Sequence, residues 1–207
     1  MKLPRSFYLR DDIVRVSREL LGKVLATNID GCVTKAVITE TEAYAGETDR
    51  ASHAYGGRRT KRTEPIYQTG GRAYVYLCYG IHHMFNVVSS AEGTPHAILV
   101  RAGRPHQGES DMLRRRGKAK ADKTLLAGPG SFGKALGITT ALTGTDLSGD
   151  QIWIEDHGIE VEESAIITGP RIGIDYAGED ASLPYRFIFS AAPGLADLHQ
   201  HIPQRPG

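Results

Sequence analysis

Apolar residues near the start of the chain recur every three or four positions. This spacing predicts an amphipathic helix over residues 11–21, with Asp11 as its N-cap and Gly22 as its end. The apolar stripe of this helix comprises Ile13, Val14, Val16, Leu20 and Leu21. A helix with one face to bury is therefore expected close to the N-terminus.

Segments that predict strands follow directly. Residues 23–29 and 33–40 predict two strands, because Asp30-Gly31 between them is a strong β-hairpin signal. Glu42 is then expected just beyond the end of a strand, where a rigid scaffold can position a catalytic group. Further strands are predicted at residues 72–79, 84–90, 96–102, 151–155 and 171–175.

The remaining segments predict two helices and a long loop. The helices cover residues 107–117 and 131–137, and the polar, glycine-rich loop covers residues 45–71. A loop of this length inside a compact domain is usually functional. Residues 192–207, which are rich in Pro, Gly and His, are expected to form a loose tail. Strands in sequence with helices at intervals indicate a single α+β domain over residues 1–207, with a mainly antiparallel sheet.

Composition narrows the class of protein. Of the 207 residues, 40% are hydrophobic and 24% are charged, which is typical of a soluble globular protein. No run approaches the roughly 18 apolar residues of a membrane span, and the charged N-terminus lacks the apolar core of a secretory signal. Cys32 and Cys78 form no CxxC pair, so neither a disulfide framework nor a cysteine zinc site is expected. Free thiols favour a reducing cytosol.

The net charge of +1 conceals three charged segments. Residues 50–72 carry six Lys/Arg against one acid, and residues 101–123 carry eight against three, so each has a balance of +5. Residues 146–180 carry ten acids against Arg171 alone, a balance of −9. A protein that binds nucleic acid can be nearly neutral overall if its positive charge faces the ligand. The run RRRGKAK at residues 114–120 fits this role and equally fits a solvated helix or loop face.

The stretch ITETEAYAGETDRASHAYGGRRTKR at residues 38–62 concentrates the candidate chemistry. A carboxylate, an aromatic ring and an imidazole lie close together in it, at Glu42, Tyr44 and His53. Four cations follow at once, at Arg58, Arg59, Lys61 and Arg62. Carboxylates take part in acid–base chemistry, aromatic rings stack on flat ligands, and cations bind phosphate. The combination indicates an enzyme that acts on a base within a nucleic acid.

The predicted strand at residues 72–79 is rich in tyrosine. The two-residue period of a strand places Tyr74 and Tyr76 on one face, where tyrosines often serve the core. Tyr79 comes near the tip of the hairpin that Gly80-Ile81-His82-His83 would complete. An exposed ring at that tip could act as a wedge between stacked bases.

Two motifs suggest other functions. GPGSFGKA at residues 128–135 resembles a nucleotide-binding loop, but alanine stands where a P-loop needs Ser or Thr, and no buried strand is predicted before it. A glycine-rich helix start is expected instead. His82 and His83 together with His53 suggest a metal site, but adjacent residues on a strand point to opposite faces. No metal site is therefore expected.

Several segments together resemble the alkyladenine (3-methyladenine) DNA glycosylase family, the purine-excising enzymes of base repair. These segments are the 38–62 stretch, GRAYVYLCYGIHHMFNVVSS, AILVRAGRP and RIGIDYAGEDASLPYRF, and their order and spacing match from about Leu3 to Phe189. The resemblance implies a compact, bacterial-type enzyme. It also implies a curved sheet with surrounding helices and a protruding β-hairpin that enters the minor groove of DNA.

The resemblance also implies roles for single residues. Glu42 falls on the catalytic glutamate, and Arg101 falls on the arginine that helps to hold the nucleophilic water. The residues that contact the flipped base are then Tyr44, His53 and Tyr76. Asn86 would screen against the amino group of guanine, and Tyr79 would enter the helix in place of the flipped nucleotide. The candidate phosphate contacts are Arg58, Arg59, Thr60, Lys61 and Arg62.

The function that follows is that of a monofunctional DNA glycosylase. It would flip damaged purines out of double-stranded DNA and hydrolyse the N-glycosidic bond with a water activated by Glu42. Alkylated purines are the expected lesions, with hypoxanthine and ethenoadenine as further candidates. No lysine lies in the matched motifs to form a Schiff base, and no cofactor is expected. The protein is expected to be a monomer in the bacterial cytosol or nucleoid, with no membrane partner.

Two alternatives stay open from the sequence. The first is a catalytically silent protein that binds damaged DNA through the minor groove on the same scaffold, for which Glu42 is dispensable. The second is an unrelated small-molecule enzyme, such as a metal hydrolase that uses His53 and His83. It would bind metal tightly and show no preference for damaged DNA.

Overall fold

The strands of the protein form one curled antiparallel sheet. A computed structural model describes residues 1–190 of the chain. In chain order the strands are β1 (Val24–Ile29), β2 (Cys32–Tyr44), β3 (Ala73–Cys78), β4 (His82–Ser89), β5 (His96–Gln107), β6 (Ile152–Glu155), β7 (Ile166–Gly169) and β8 (Arg186–Phe189). Six of them are hydrogen-bonded in the order β3-β4-β5-β2-β1-β6, while β8 pairs with β2 and β7 with β8. The predicted α+β class with a mainly antiparallel sheet is confirmed.

Helices cover this sheet and complete the core. The α-helices of the described residues are α1 (Arg5–Tyr8), α2 (Ile13–Glu19), α3 (Glu109–Arg116) and α4 (Pro129–Ala135). Short 3₁₀ helices occupy Gly46–Thr48, Tyr55–Gly57, Glu64–Tyr67, Thr140–Leu142, Glu163–Ala165 and Asp175–Ser182. Helix α2 packs against β2, and α4 packs against β4 and β5. No helix in the described part of the chain is both long and apolar enough to cross a membrane.

Helix α2 is shorter than its apolar stripe predicted. It begins after Asp12, whose carboxylate accepts the backbone N–H of Arg15 at 3.0 Å. The prediction of Asp11 as the cap was wrong, because a cap bonds the N–H group three positions on. Asp11 instead accepts a hydrogen bond from the hydroxyl of Ser90. The helix ends at Glu19, and the two leucines that follow are buried in the turn toward β1.

The predicted Asp30-Gly31 hairpin is confirmed. Ile29 at the end of β1 pairs with Cys32 at the start of β2, so the turn holds two residues. Asp30 has φ 53° and Gly31 has φ 77°. A two-residue hairpin turn of this kind needs positive φ at both positions, which Asp-Gly supplies at low steric cost.

Strand β2 bends at a β-bulge, and this bend decides which side chains face the candidate site. The register of β2 against β5 shifts between Ile38 and Glu40. Ile38 before the bulge and Ala43 after it both belong to the core. Side chains alternate along a strand, so one extra residue moves the even-numbered positions to the opposite face. Glu40, Glu42 and Tyr44 therefore lie together on the face opposite Ala43.

Three strand boundaries differ from the predicted ones. The prediction that Glu42 lies beyond a strand end was wrong, because β2 continues to Tyr44 with β5 on one edge and β8 on the other. Strand β4 begins earlier than predicted, at His82, and β5 continues as far as Gln107. Longer strands place the candidate residues on the sheet itself, where neighbouring strands fix their directions.

The late part of the chain differs most from expectation. Residues 171–175 form no strand, so that prediction was wrong. Their polar groups bond instead to side chains and carbonyls around the end of β2. Strands β7 and β8, each four residues long, were not predicted. The predicted loose tail at 192–207 lies outside the described residues.

Candidate active site

Glu42 is held by three partners at the centre of the candidate site. Its side chain is 0% exposed. The carboxylate oxygen Oε1 accepts the backbone N–H of Ile172 at 2.9 Å and lies 3.3 Å from the nearer nitrogen of Arg101. The other oxygen, Oε2, accepts the hydroxyl of Tyr44 at 2.9 Å. A carboxylate held by three donors from different elements has its orientation fixed before any ligand arrives.

Burial changes the acidity of this carboxyl group. Desolvation raises the pKa of Glu42, and the Arg101 guanidinium and the N–H of Ile172 offset this only in part. Raising the pKa of a carboxyl group toward the working pH makes its ionised form a better proton acceptor. The environment of Glu42 therefore suits the removal of a proton from water.

A second carboxylate holds Arg101 in place. Arg101 lies on β5 and is 8% exposed, and its Nε donates to Oε1 of Glu40 at 2.8 Å. The same oxygen accepts Nε of Arg186 from β8 at 2.7 Å. Burial opposes the charge of Arg101, but the nearby carboxylates of Glu42 and Glu40 outweigh it and the pKa of the guanidinium is raised. Arg101 is therefore a fixed cation between two carboxylates.

Aromatic rings gather beside this charged centre. The ring centroids of His53 and Tyr76 are 4.6 Å apart with the planes at 73°. Nδ1 of His53 lies 2.9 Å from the hydroxyl of Tyr74. The guanidinium of Arg171 lies 4.8 Å from the centroid of the Tyr44 ring. Burial raises the pKa of Tyr44 and of Tyr76 above the ordinary 10.0, so both phenols are neutral at physiological pH.

These side chains line one cavity of about 580 Å³. Ligand pockets typically measure about 300–1,000 Å³. The predicted site residues that it brings together are Tyr44, His53, Arg62, Tyr76, Tyr79, Asn86 and Arg101. Asn86 is fixed in the wall because its amide Nδ2 donates to the carbonyls of Tyr74 and Met84, both at 3.1 Å. Glu42 is bonded to three of the lining residues, Tyr44, Arg101 and Ile172, so a flat ligand in the cavity would lie near a fixed carboxylate.

Tyr79 occupies the turn between β3 and β4. Its side chain is 90% exposed and its backbone has φ 50°. Residues other than glycine rarely adopt this left-handed conformation, and such strain is concentrated at functional positions. Ile81 in the same turn is 70% exposed. The hairpin tip thus presents two large apolar side chains to solvent, next to the cavity that Tyr79 lines.

The predicted phosphate contacts differ in how freely they can reach a ligand. The side chains of Arg58 and Lys61 are exposed and form no ion pair within residues 1–190. Arg59 is held by Glu64 through two hydrogen bonds of 2.8 and 2.6 Å. Thr60 bonds within its own turn. Arg58 and Lys61 are therefore the cations best placed to neutralise phosphate.

Arg62 differs from the other cations of this segment because it lines the cavity. Its guanidinium lies 5.2 Å from the centroid of the Tyr76 ring, within the range of a cation–π contact. Burial raises the pKa of the Tyr74 hydroxyl, and the charge and hydrogen bonding of Arg62 oppose this rise. Arg62 thus interacts with the ring cluster as well as facing solvent.

Sequence reasoning missed a buried ion pair that joins two loops at the site. The side chains of Arg171 and Asp49 are 0% and 1% exposed, and two guanidinium nitrogens contact the two carboxylate oxygens at 2.5 and 2.9 Å. Asp49 also accepts the backbone N–H groups of Ala45 and Ala51, both at 2.9 Å. The pair therefore fixes the loop after β2 against the segment that contributes the N–H of Ile172.

Two signals in the sequence could have found the missed residues. Arg171 is the lone basic residue among ten acids in the segment 146–180, so a specific partner was to be expected for it. Glu40, Glu42 and Tyr44 follow one another at the two-residue period of a strand. That period places all three on one face, where Glu40 holds Arg101.

The two motifs that suggested a metal site or a nucleotide-binding loop make packing contacts and hydrogen bonds within the fold. The ring of His82 packs against α4 at Gly130, where an added Cβ would lie 2.5 Å from the imidazole. Nδ1 of His83 accepts the backbone N–H of Thr140 at 3.1 Å. Residues 121–127, which precede α4, form no strand. In the described part of the chain, no three His, Cys, Asp or Glu side chains are grouped closely enough to hold a metal ion.

The basic run at residues 114–120 mostly makes hydrogen bonds within the fold. Arg115 donates to the carbonyl of Ala135 at 3.2 Å, and Arg116 donates to that of Leu125 at 3.2 Å. These bonds hold α3 against the segment that leads into α4. The run is therefore better explained as a partly solvated helix end than as a site for nucleic acid.

Known proteins resemble this chain over nearly its whole length. The family model described as methylpurine-DNA glycosylase (MPG) matches residues 6–193. A Chlamydia felis protein with the provisional name 3-methyladenine DNA glycosylase is 46% identical over 189 residues, which is 91% of this chain and 96% of the relative. A Bacillus cytotoxicus protein with the same provisional name is 43% identical over 204 residues, 95% of this chain and 100% of the relative. For a similarly named protein of Desulfitobacterium hafniense the identity is 44% over 194 residues, 90% and 94% of the two chains.

Proposed function

This chain belongs to the methylpurine-DNA glycosylase family, and we propose that its cavity receives a damaged purine flipped out of duplex DNA. It is an N-glycosyl hydrolase of the 3-methyladenine DNA glycosylase type, and DNA is its substrate. In the proposed reaction a water activated by Glu42 cleaves the N-glycosidic bond and leaves an abasic site. The proposed lesions are alkylated purines such as 3-methyladenine, with hypoxanthine and ethenoadenine as further substrates.

The observation that carries this proposal is the fixed, buried carboxylate of Glu42 beside a cavity of aromatic rings. The cavity suits a flat, electron-poor ring, because aromatic faces attract cations and stack on bases. The carboxylate also suits the sugar attached to that base, because positive charge develops on the sugar as its bond to the base breaks. A buried acid with a raised pKa lowers the stability of the folded protein at neutral pH, and strongly shifted pKa values are typical of catalytic groups.

The proposed reaction is a hydrolysis that needs only the side chains already named. The oxygen of water forms a bond to C1′ of the sugar, while the electrons of the C1′–N bond leave with the purine. Glu42 accepts the proton that the water releases, and Arg101 orients that water beside the carboxylate. An alkylated purine that starts as a cation leaves as a neutral base. The reaction so written requires no metal or organic cofactor.

Selectivity in this proposal has two sources. Damaged bases cost less to flip than paired normal ones, by up to a few kcal/mol, and alkylation weakens the glycosidic bond. Asn86 adds a steric screen, because its amide is locked by two backbone carbonyls and cannot turn away from a guanine amino group. Tyr44, His53 and Tyr76 supply the stacking surface.

Contact with the duplex is proposed to come from the β3–β4 hairpin and the loop cations. Tyr79 would fill the space left by the flipped nucleotide in the minor groove. Arg58 and Lys61 would neutralise phosphates, helped by the backbone and side chains of Arg59, Thr60 and Arg62. One chain supplies every residue named in the reaction, so we propose that the enzyme acts as a monomer. Its place of action would be the bacterial cytosol, where the chromosome lies.

The two alternatives account less well for these contacts. A silent DNA-binding protein gains nothing from a fully buried carboxylate with a raised pKa, which only lowers its stability. A metal hydrolase based on His53 and His83 would need further ligands beside these rings. In residues 1–190 no three His, Cys, Asp or Glu side chains are grouped closely enough to hold a metal ion.

Base release without strand cleavage is the test of this proposal. In the described part of the chain no lysine lines the cavity, so no amine is placed to attack C1′ and form a Schiff base. Purified protein should release free 3-methyladenine from alkylated DNA and leave an intact strand that breaks only on later alkali treatment. Borohydride added during the reaction should trap no protein–DNA adduct. A trapped adduct would contradict the monofunctional mechanism, and absence of any released base would contradict the enzyme assignment.

Tyr79→Ala should weaken binding to lesion-containing duplex without unfolding the protein. Stacking of an aromatic side chain on a base contributes about 1–3 kcal/mol, so the dissociation constant should rise roughly 5- to 150-fold. The fold should be spared because the side chain is 90% exposed. Fluorescence anisotropy with duplex that carries one ethenoadenine measures the change.

Ile167→Ala is a matched control for this variant. Ile167 is also exposed, at 56%, but it lies on β7 and does not line the cavity. The affinity of Ile167→Ala for the lesion-containing duplex should equal that of the wild type. Equal affinity of Tyr79→Ala and wild type would remove Tyr79 as the wedge.

A further inference from the structure

Tyr74 and His53 are joined by a hydrogen bond in the wall of the cavity. The hydroxyl of Tyr74 lies 2.9 Å from Nδ1 of His53, and the two rings meet edge to face at 6.1 Å and 89°. Tyr74 lies on β3, is 2% exposed and lines the cavity. The guanidinium of Arg62 lies nearby, 5.2 Å from the centroid of the Tyr76 ring.

The protons on these groups determine which nitrogen of His53 carries hydrogen. Within residues 1–190 the single proton of the buried Tyr74 hydroxyl has no acceptor except Nδ1 of His53. A buried donor without a partner is destabilising. The arrangement that satisfies every group has Tyr74 donating to Nδ1, which leaves the hydrogen of neutral His53 on Nε2.

We infer that Tyr74 is a positioning residue that keeps His53 as the neutral Nε2–H tautomer in the base pocket. This inference rests on the proposed function, because it makes the pocket tolerant of a purine that carries positive charge. Nε2 forms no hydrogen bond within residues 1–190 and is not among the buried, unpartnered atoms, so it remains accessible on the cavity side. Tyr74 acts through His53 and contacts no reacting atom.

The electrostatic surroundings of His53 favour the same neutral state. Burial lowers its pKa from 6.5 to about 4, and the charges of Arg62 and Arg58 add to this effect. Its other titratable neighbours are the phenols of Tyr74 and Tyr76, which are uncharged. No described carboxylate is close enough to oppose the shift. The charges of these two loop cations thus favour a neutral imidazole in the base pocket.

A neutral imidazole matters because the proposed substrate includes a cation. Two positive charges in contact repel each other, and more strongly in a partly buried pocket than in water. A protonated His53 would therefore oppose the entry of 3-methyladenine as it exists in alkylated DNA. It would not oppose hypoxanthine, which enters uncharged. The protonation state of His53 therefore predicts a selectivity between 3-methyladenine and hypoxanthine that depends on pH.

The tautomer can be measured directly in the wild-type protein. Long-range ¹H–¹⁵N NMR spectra of uniformly labelled protein distinguish protonated from unprotonated ring nitrogens, and comparison with His53→Gln assigns the signals. Between pH 5.5 and 7.5 we expect an unprotonated Nδ1 and a protonated Nε2. A protonated Nδ1, or an imidazolium at pH 6, would overturn the inference. This measurement needs no catalytic activity, so its outcome is separate from that of the proposed function.

Tyr74→Phe tests the consequence for catalysis. Without the donor to Nδ1, the neutral form of His53 loses a hydrogen bond, so its pKa should rise, although burial and the charges of Arg62 and Arg58 still hold it below 6.5. Release of 3-methyladenine at pH 5.5 relative to pH 7.5 should therefore fall against wild type, while the same ratio for hypoxanthine changes little. Tyr8→Phe is the control, because Tyr8 is equally buried and its hydroxyl has no partner.

Arg62→Gln provides a second variant at an exposed position. It removes a cation that lowers the pKa of His53 and should shift the pH ratio in the same direction, even if overall DNA affinity falls. Parallel pH profiles of wild type, Tyr74→Phe and Arg62→Gln for both substrates would overturn the proposed role. A fall in the ratio of 3-methyladenine release at pH 5.5 to that at pH 7.5 in both variants, with the ratio of Tyr8→Phe equal to that of wild type, would establish it.

Discussion

Glu42→Gln is expected to slow base release under single-turnover conditions by about 10²–10⁴-fold, the usual contribution of a general base. Glutamine has nearly the same shape but cannot accept the proton from water. The backbone N–H of Ile172 and the hydroxyl of Tyr44 can still bond to the amide, so the cavity should keep its geometry. Rates measured at saturating enzyme isolate this chemical loss from any loss of DNA affinity.

The same substitution should not lower stability at neutral pH. Because the folded-state pKa of Glu42 is raised, the folded protein binds more protons than the unfolded chain at pH values between about 4.5 and the folded-state pKa. Wild-type stability therefore falls as pH rises through that window, and glutamine removes this loss. Glu42→Gln should melt at or above the wild-type temperature at pH 7, which calorimetry can show.

Wild-type activity should carry the corresponding pH signature. Glu42 must be ionised to accept a proton, so the single-turnover rate should rise with pH through an inflection above 4.5, its ordinary pKa. Glu47→Gln is a suitable control, because Glu47 is an exposed carboxylate on the neighbouring loop. The control should follow the wild-type profile. A Glu42→Gln variant with wild-type rate would remove Glu42 from the reaction.

Asp49→Ala is expected to lower the free energy of unfolding by about 3–5 kcal/mol, because it leaves the buried guanidinium of Arg171 without its counterion. For a chain of this size the melting temperature should fall by roughly 6–20 °C. The backbone N–H groups of Ala45 and Ala51 would also lose their acceptor. Urea unfolding followed by circular dichroism measures the free energy directly.

Glu64→Ala is the matched control for this prediction. It breaks the Arg59–Glu64 ion pair, whose side chains are 56% and 47% exposed. Such exposed pairs contribute only about 0–1 kcal/mol. If both variants lost the same small amount of stability, the buried pair would not anchor the two loops as the structure indicates. Activity of Asp49→Ala should also fall, since Arg171 precedes the residue whose N–H holds Glu42.

The sequence predicted the local parts of the fold better than the long-range ones. The Asp30-Gly31 turn and the strands around it depend on neighbouring residues, and they were predicted correctly. The bulge in β2 depends on how β5 and β8 share that strand, which is a tertiary effect. Glu42 was therefore placed after the strand when it lies within it. Strand Ile166–Gly169 was not predicted, and it forms by pairing with β8 from a later part of the chain.

The candidate site shows the same division. Family resemblance pointed to Tyr44, His53, Tyr76 and Asn86, and the fold brings them to one cavity. No local pattern could show that Asp49 meets Arg171, because the two are separated by 122 positions in the chain. Which nitrogen of His53 carries hydrogen depends on contacts made by Tyr74, and these exist only once the sheet has formed.

One measurement tests the central claim most directly. Wild type and Glu42→Gln would be compared on one duplex with a single hypoxanthine and on alkylated DNA, with binding and base release measured on the same samples. The account predicts that both proteins bind the lesion, that only wild type releases free base at an appreciable rate, and that the strand stays intact. Binding by both proteins without release by either would contradict it and would establish a silent damaged-DNA-binding protein on this scaffold.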